Sequence, residues 1–148
     1  MALAVRVVAP DKTVWDAEAE EVVLPSTTGQ LGILSGHAPL LTALDIGVLR
    51  VRADSDWVAI ALMGGFAEIE DNEVTILVNG AERGDSIDLS SAQQEYTSAK
   101  SEADSVSSDD KQAVIQARKS LKRARARVQA AGGRSEEHTS ELQSLTNL

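Results

Sequence analysis

The sequence predicts an α+β protein with segregated parts: a β-sandwich over residues 1–88, then an antiparallel two-helix hairpin over residues 89–133. Two observations predict this fold. Up to about residue 85, short runs rich in valine and isoleucine are separated by Gly, Pro, Asp or Asn, which is typical of strands and turns. After RGDSID (83–88), apolar residues recur every three or four positions, which is the period of an amphipathic helix.

Six runs predict strands: LAVRVVAP, EEVVLP, GVLRVR, WVAIALMGG, FAEIED and EVTILVNG. GVLRVR alternates between apolar and basic residues from Leu49 to Arg52, so one face of the strand should be buried and the other exposed to solvent. WVAIAL does not alternate, which is typical of a strand inside a sandwich or covered by a core on one side and a partner on the other. Asp71-Asn72 predicts a tight hairpin turn, because both residues tolerate positive φ.

The segment GQLGILSGHAPLLTAL (29–44) is apolar, but three glycines and a proline interrupt it. It is too broken for a regular helix or strand and too apolar for an ordinary solvent loop. We therefore expect an irregular apolar loop around His37.

Two apolar series predict the helices. The first runs from Leu89 to Val106 and opens with a capping-box pattern, Ser90 with Gln93. The polar run SSDD (107–110) interrupts it, and the second series runs from Val114 to Ala131 before Gly132-Gly133. Because most of these positions are alanine, little apolar surface is buried, and the hairpin should be marginal unless it docks on another surface.

Charge is distributed unevenly along the chain. Residues 1–90 hold 15 acids and 5 bases, whereas residues 111–133 hold 7 bases and no acid. Six of these bases form two neighbouring stripes away from the apolar seam. The stripes are Arg118, Lys122, Arg125 and Lys119, Arg123, Arg127. A charge run is often a solvated face, but without acids nearby in the sequence it favours docking on an acidic partner.

Composition excludes several kinds of site. The 148 residues include no cysteine, so disulfides, thiolate nucleophiles and most structural zinc sites are excluded. No phosphate-binding loop or dinucleotide fingerprint is present. The longest apolar run, residues 57–67, is shorter than the roughly 18 to 20 residues that span a bilayer. We expect no metal, no cofactor, no transmembrane segment and no secretory signal.

Two other functions remain as alternatives. Ser35, His37 and Asp45 could be assembled into a hydrolase triad, but such trios arise by chance, so we predict no catalytic residue. The basic stripes could bind nucleic acid, but the acidic body would repel a phosphate backbone.

The last fifteen residues, RSEEHTSELQSLTNL, follow neither pattern. Residues 134–144 resemble the translation of a sequencing-library adapter, so we expect residues 134–148 to be a non-native, disordered tail. His138 therefore carries no functional weight.

Three stretches resemble the epsilon-subunit family of F-type ATP synthases, and most of all its cyanobacterial and chloroplast branch. They are LPSTTGQLGILSGHAPLLTALDIGVLRVR, ALMGGFAEIEDNEVTILVNGAERG and RARARVQAAGG. The resemblance extends over residues 2–133, and the G-x-L-G-I/V-x-x-x-H-A-P segment is specific to that family. It implies the same fold, a β-sandwich with a C-terminal two-helix hairpin.

The resemblance implies a non-catalytic rotor subunit of the central stalk. The sandwich would bind the gamma subunit and rest on the ring of c subunits, on the cytoplasmic or stromal face of an energy-coupling membrane, here the thylakoid. Residues 29–44 correspond to the ring-facing edge. The contact candidates there are Gln30, Leu31, Ile33 and His37, although some of these side chains could instead close the end of the sandwich.

The resemblance also implies that the hairpin inhibits ATP hydrolysis by extending into the catalytic head of alpha and beta subunits. The six basic residues would pair with an acidic motif of a beta subunit; alternatively, they bind another acidic partner. ATP-binding relatives carry I/L-D-x-x-R-A at the base of the hairpin. This chain keeps Asp88 but has Ser91 where the arginine belongs, which predicts weak or absent ATP binding.

Overall fold

The structure, a computed structural model, describes residues 2–132, so the expected tail (134–148) and Gly133 lie outside it. Eight strands precede two helices, which confirms the segregated α+β fold. The strands are β1 (Leu3–Ala9), β2 (Lys12–Ala19), β3 (Glu21–Ser26), β4 (Gly29–Leu34), β5 (Leu40–Ala53), β6 (Asp56–Glu70), β7 (Glu73–Val78) and β8 (Ala81–Arg83). A 3₁₀ turn (Gly84–Ser86) leads to α1 (Leu89–Ser105) and α2 (Lys111–Ala130).

The strands follow the order β2-β1-β7-β6-β5-β3-β4, and β8 pairs with β6. Only the β1–β7 pair is parallel among these pairings. Strands β5 and β6 are 14 and 15 residues long and contribute to both layers of the sandwich. Layer A contains β2, β1, β7, the end of β6 and the start of β5. Layer B contains β4, β3, the end of β5, the start of β6 and β8.

The two long strands change layer at a bend in which the register skips from Leu44↔Gly65 to Ile46↔Met63. Buried and exposed positions exchange parity across this bend. Gly64 and Gly65 have φ of 87° and 154°, conformations that other residues rarely adopt. A Cβ atom at Gly65 would lie 2.1 Å from the Leu77 carbonyl oxygen, so the bend requires glycine.

The core between the layers is aliphatic. Its largest fully buried side chains include Leu3, Leu24, Ile33, Leu49, Ile60, Leu62, Ile69 and Ile76. In β6, Ile60 and Leu62 face this core, while Ala59 and Ala61 face the helices. Of the two alternatives for WVAIAL, the structure is nearer the second: one side of the strand covers the core, and the chain's own helices take the place of the expected partner on the other.

The prediction of an irregular loop over residues 29–44 is wrong for most of the segment. Residues 29–34 form β4 and residues 40–44 begin β5, which leaves only residues 35–39 between strands. Gly29 and Gly36 have φ of 127° and 87° and make the turns, whereas Gly32 pairs with Val23 within the ladder. The glycines therefore lie at the turns beside β4 or within its ladder, and they do not prevent strand formation.

The turn and helix predictions are confirmed with one correction. Asp71 and Asn72 have φ of 53° and 63°, as a tight hairpin turn requires. The N-cap of α1 is Asp88 rather than Ser90, because the Asp88 carboxylate accepts hydrogen bonds from the backbone N–H groups of Ser90 and Ser91. Helix α2 ends before Gly132, whose φ is 95°.

Candidate functional site

Helix α2 carries all six predicted basic residues, and its position on the sandwich sorts them into two groups. Arg118, Lys119, Lys122 and Arg123 are exposed, whereas Arg125 and Arg127 are half-buried. The latter two lie in the last turns, where α2 packs on layer B.

Arg127 joins three elements through its guanidinium. Its Nε donates to Glu82 Oε2 on β8 at 3.1 Å, and its Nη2 donates to Glu82 Oε1 at 3.1 Å. Its Nη1 donates to Glu95 on α1. The pKa of Arg127 is raised above its ordinary value, chiefly by the hydrogen bond to Glu82 and against the opposing effect of desolvation. The side chain is 22% exposed, so this fork is partly shielded from water.

Lys122 forms a second ion pair with the sandwich. Its Nζ donates to Asp45 Oδ2 at 3.1 Å and to Oδ1 at 3.4 Å. Asp45 lies at the bend of β5, and its Oδ1 also accepts from the Ile46 backbone N–H at 2.8 Å. The carboxylate is therefore held by the backbone of β5 as well as by the lysine.

The contacts of Lys122 and Arg127 show that the basic residues of α2 do have acidic partners within the chain, contrary to the sequence interpretation. The basic run lacks acids close in sequence, but the fold supplies them from 77, 45 and 32 residues away, at Asp45, Glu82 and Glu95. Sequence reasoning missed these three residues because no local pattern relates them to α2.

Apolar contacts complete the docking of the hairpin on layer B. Two small clusters of side chains meet here, one from the helices and one from β5 and β6. The helices contribute Ala92, Ala126, Val128 and Ala130, and the strands contribute Ile46, Val48, Ala59, Ala61 and Met63. Most of these side chains are small, so the attachment is shallow, and it agrees with a hairpin that needs a docking surface to be stable.

Gly84 lets the end of α2 approach the sandwich closely. A Cβ atom there would lie 1.8 Å from the Ala130 carbonyl oxygen and 3.2 Å from the Ala59 carbonyl oxygen. The 3₁₀ turn and the last turn of α2 therefore meet backbone to backbone.

The four predicted ring contacts occupy different places. Gln30 is exposed and pairs with Pro25 beside the β3–β4 turn. Leu31 is half-buried against the core, and Ile33 is fully buried, so Ile33 offers no surface to a partner. His37 lies beyond the opposite end of β4. Four strand steps, roughly 13 Å, separate Gln30 from the end of β4 at Leu34, and His37 lies past that end, so the fold does not bring the two residues together.

The surroundings of His37 are those of a turn. Its Nδ1 donates to the Ala38 carbonyl oxygen at 2.7 Å, and the adjacent Gly36 N–H donates to Asn72 Oδ1 at 2.7 Å. The carboxylate of Asp45 is engaged by Lys122 instead. The Ser35, His37, Asp45 trio is therefore not hydrogen-bonded as a catalytic triad within the described residues.

The base of the hairpin shows what replaces the ATP-binding pattern. The Asp88 carboxylate accepts from the backbone of Ser90 at 3.1 Å and from Ser91 Oγ at 3.3 Å. Its oxygens thus cap α1, and serine supplies no cation for a phosphate. Weak or absent ATP binding stays a prediction.

Residues 2–132 contain neither a candidate metal site nor a membrane-spanning helix. No group of three or more His, Asp or Glu side chains there is arranged to hold a metal ion. Neither of the two helices is long and apolar enough to cross a membrane.

Two family models match consecutive parts of the chain. Residues 2–84 match the ATP synthase delta/epsilon chain β-sandwich domain, and residues 85–132 match the long α-helix domain of the same chain.

Curated relatives match over nearly their whole length. The ATP synthase epsilon chain of Thermosynechococcus vestitus is 69% identical over 134 residues, which cover 90% of this chain and 97% of the relative. The epsilon chain of Nostoc punctiforme is 70% identical over 135 residues, which cover 90% of this chain and 98% of the relative.

Solved structures share the fold. A chain in the Euglena gracilis mitochondrial ATP synthase, in a structure of its OSCP, F1 and c-ring, superposes with a TM-score of 0.73 at 20% identity, covering 88% of this chain and 81% of that one. A chain from the central stalk and c-ring of the Tetrahymena thermophila mitochondrial ATP synthase superposes with a TM-score of 0.56 at 17% identity. The match covers 84% of this chain and 94% of that one.

Proposed function

The chain belongs to the ATP synthase delta/epsilon chain family, and from this membership we propose a function for the sandwich and another for the hairpin. It is a non-catalytic subunit of the F-type ATP synthase and part of the central stalk. Its partners are the gamma subunit, the c-ring and the catalytic head. It therefore belongs to the peripheral, membrane-associated F1 portion of the complex.

The sandwich acts as the base that rests on the c-ring, with Gln30 at the contact. Gln30 is exposed beside the β3–β4 turn, where Ser26 Oγ donates to the Gly29 carbonyl oxygen at 2.5 Å and accepts from the Thr28 N–H at 3.3 Å. These bonds stiffen the turn, and a stiff contact suits a part that transmits torque. Leu31 supports the turn from the core side, while Ile33 takes no part in the contact.

The hairpin regulates the complex by leaving the sandwich and placing α2 against the catalytic head, where it inhibits ATP hydrolysis. The observation that supports this proposal is that Lys122 and Arg127, which would bind the head, are already paired with carboxylates when the hairpin is docked. In the docked hairpin both cations pair with carboxylates of the sandwich. An acidic surface of the head would offer the same kind of partner, so undocking exchanges one set of ion pairs for another.

The test separates Arg118, Lys119 and Arg123 from Lys122 and Arg127, which pair with the sandwich. In a reconstituted complex, Arg118, Lys119 and Arg123 are replaced by alanine together, which leaves the pairs of Lys122 and Arg127 intact. We expect this triple variant to hydrolyse ATP faster than wild type, because it binds the head more weakly while docking normally. Replacing Lys100 and Lys111 is the matched control and should change nothing. Unchanged hydrolysis by a variant lacking all six cations would refute the inhibitory role.

We place the complex at the thylakoid membrane, since the relatives come from cyanobacteria. Fractionation of thylakoid from plasma membranes, followed by immunodetection of the chain, tests this assignment. Recovery mainly with the plasma membrane would contradict it.

A further inference from the structure

The β3–β4 turn is attached to β5 just before the bend. Ser26 is 8% exposed and is the one buried polar side chain among the described residues. Its Oγ donates to the Gly29 carbonyl oxygen at 2.5 Å and lies 3.2 Å from Thr28 Oγ1, which closes the turn. The next residue, Thr27, donates its backbone N–H to the Ala43 carbonyl oxygen at 3.2 Å. A displacement of the turn is therefore passed to β5 at Ala43.

The same segment also contacts β5 beyond the bend. A Cβ atom at Gly47 would lie 2.8 Å from Pro25 Cβ, so β3 and β5 approach each other closely there. The neighbouring strand β6 is held in another way, because Asn79 donates its backbone N–H to the Gly64 carbonyl oxygen at 3.0 Å and its Nδ2 to the Met63 carbonyl oxygen at 3.3 Å. The end of β3 and its turn thus hold β5 on both sides of Asp45.

Three consecutive residues at the bend face three different surroundings. Leu44, the register partner of Ser26, is 5% exposed and packs in the core between the layers. Ile46 packs in the apolar cluster beneath the hairpin. Asp45 lies between them and is skipped by the β5–β6 ladder. The turn, the sandwich core and the hairpin therefore meet at one short piece of β5.

Asp45 links this piece of β5 to α2. Its carboxylate accepts from Lys122 Nζ at 3.1 Å and from the backbone N–H of Ile46 at 2.8 Å. Because the second bond ties the carboxylate to the backbone, the carboxylate moves with the strand. An ion pair is lost once its N and O atoms are more than about 4 Å apart, so a shift of about 1 Å at the bend removes this one.

We propose that the β3–β4 turn controls the docking of α2 through Asp45, an inference that rests on the proposed function for its role in the complex. Two distinct places are coupled. One is the turn, where Gln30 meets the c-ring, and the other is the pair of Lys122 with Asp45, which exists only while the hairpin is docked. A load that displaces the turn breaks this pair and loosens α2. Because such coupling is reciprocal, a docked α2 also holds the turn in place.

The test measures hydrogen exchange of the amides of residues 122–130 in the full chain without partners. Ser26→Ala removes the bonds that close the turn, and Thr27→Pro removes the donor to Ala43. Each should accelerate exchange about threefold, as Lys122→Gln should, which is the size that a half-exposed ion pair allows. Adding Ser26→Ala or Thr27→Pro to Lys122→Gln should give no further acceleration, because the pair is already absent.

The matched control loosens the turn at the other end of β5. Glu20 accepts from the backbone N–H groups of Asp54 and Ser55 at 3.2 and 3.3 Å, so Glu20→Ala releases the β5–β6 turn. Exchange in residues 122–130 should then stay at the wild-type rate. A faster rate in this control would mean that any loosening of the sandwich undocks α2, and would overturn the proposal.

Three further results would contradict the role of Asp45. These are unchanged exchange in Thr27→Pro, unchanged exchange in Lys122→Gln, and additive acceleration in the double variants. Thermal unfolding shows whether each sandwich is folded, and Thr27→Pro decides the matter if Ser26→Ala does not fold. The assay contains neither c-ring nor catalytic head, so its failure leaves the proposed function standing. That function is tested separately by ATP hydrolysis in the reconstituted complex.

Discussion

The guanidinium of Arg127, near the end of α2, lies 3.1 Å from the carboxylate of Glu82 on β8. Arg127 also contacts Glu95 on α1, so one side chain joins the sandwich to both helices. The same residue belongs to the stripes that we propose bind the catalytic head. Docking on the sandwich and the proposed inhibition therefore compete for Arg127.

Glu82→Gln should release the hairpin. Removing this carboxylate costs about 1 kcal/mol, since Glu82 is half-exposed and water screens the pair, and this shifts the docking equilibrium roughly fivefold. Hydrogen exchange of the α2 amides should accelerate accordingly. Asp85→Asn, which breaks the local Arg83–Asp85 pair, is the control and should leave α2 protected. Equal protection in Glu82→Gln and wild type would show that the ion pair does not hold the hairpin.

Gly84→Ala should undock α2 more strongly. The new methyl group would overlap the Ala130 carbonyl oxygen, and overpacking of this kind costs about 1 to 3 kcal/mol. Limited proteolysis within residues 111–130 should become faster by roughly tenfold. Gly32→Ala serves as the control, because nothing lies within 4 Å of a Cβ atom there. Proteolysis at the wild-type rate would mean that the helix end moves aside freely.

Gly65→Ala should destabilise the whole sandwich rather than the hairpin. Its φ of 154° and the nearby Leu77 carbonyl oxygen leave no room for a side chain, and we expect a loss of about 3 kcal/mol in the free energy of unfolding. Urea denaturation measures this loss, again with Gly32→Ala as reference. A change below about 0.5 kcal/mol would contradict the role of glycine at the bend.

ATP should bind weakly or not at all to the isolated chain. Ser91 stands where the ATP-binding pattern implied by the family resemblance has an arginine, and the Asp88 carboxylate is occupied in capping α1. Isothermal titration calorimetry with ATP and magnesium should show no binding in the micromolar range. A clear micromolar isotherm would refute this prediction.

Docking of the hairpin on the sandwich should not change with pH near neutral, because Arg127 stays charged there. Its folded-state pKa is raised, so the stability it contributes is fully present below the unfolded-state pKa and is lost only as pH rises through the folded-state pKa, far above neutral. Between about pH 7 and about pH 9 the protection of α2, corrected for intrinsic exchange, should stay constant. A loss of protection in that range would assign the control of docking to another group.

The sequence by itself determined the order and type of the main elements. Val- and Ile-rich runs gave the positions of most strands, and the three-and-four spacing located α1 and α2, because these signals depend on neighbours within one strand or helix. Strands β2, β4 and β8 were missed. The polar residues of β2 hid its pairing with β1, and the glycines of β4 were interpreted as interruptions although they make turns.

Only the tertiary structure decided where the proposed site residues lie and which of them pair within the chain. It buried Ile33, separated Gln30 from His37, and paired Lys122 and Arg127 with Asp45 and Glu82. It also placed Phe66 outside the core, because the bend at Gly64 and Gly65 reverses the parity of β6. These outcomes depend on contacts between residues far apart in the chain. Local periodicity carries no information about such contacts, whereas the closing of the two layers fixes them.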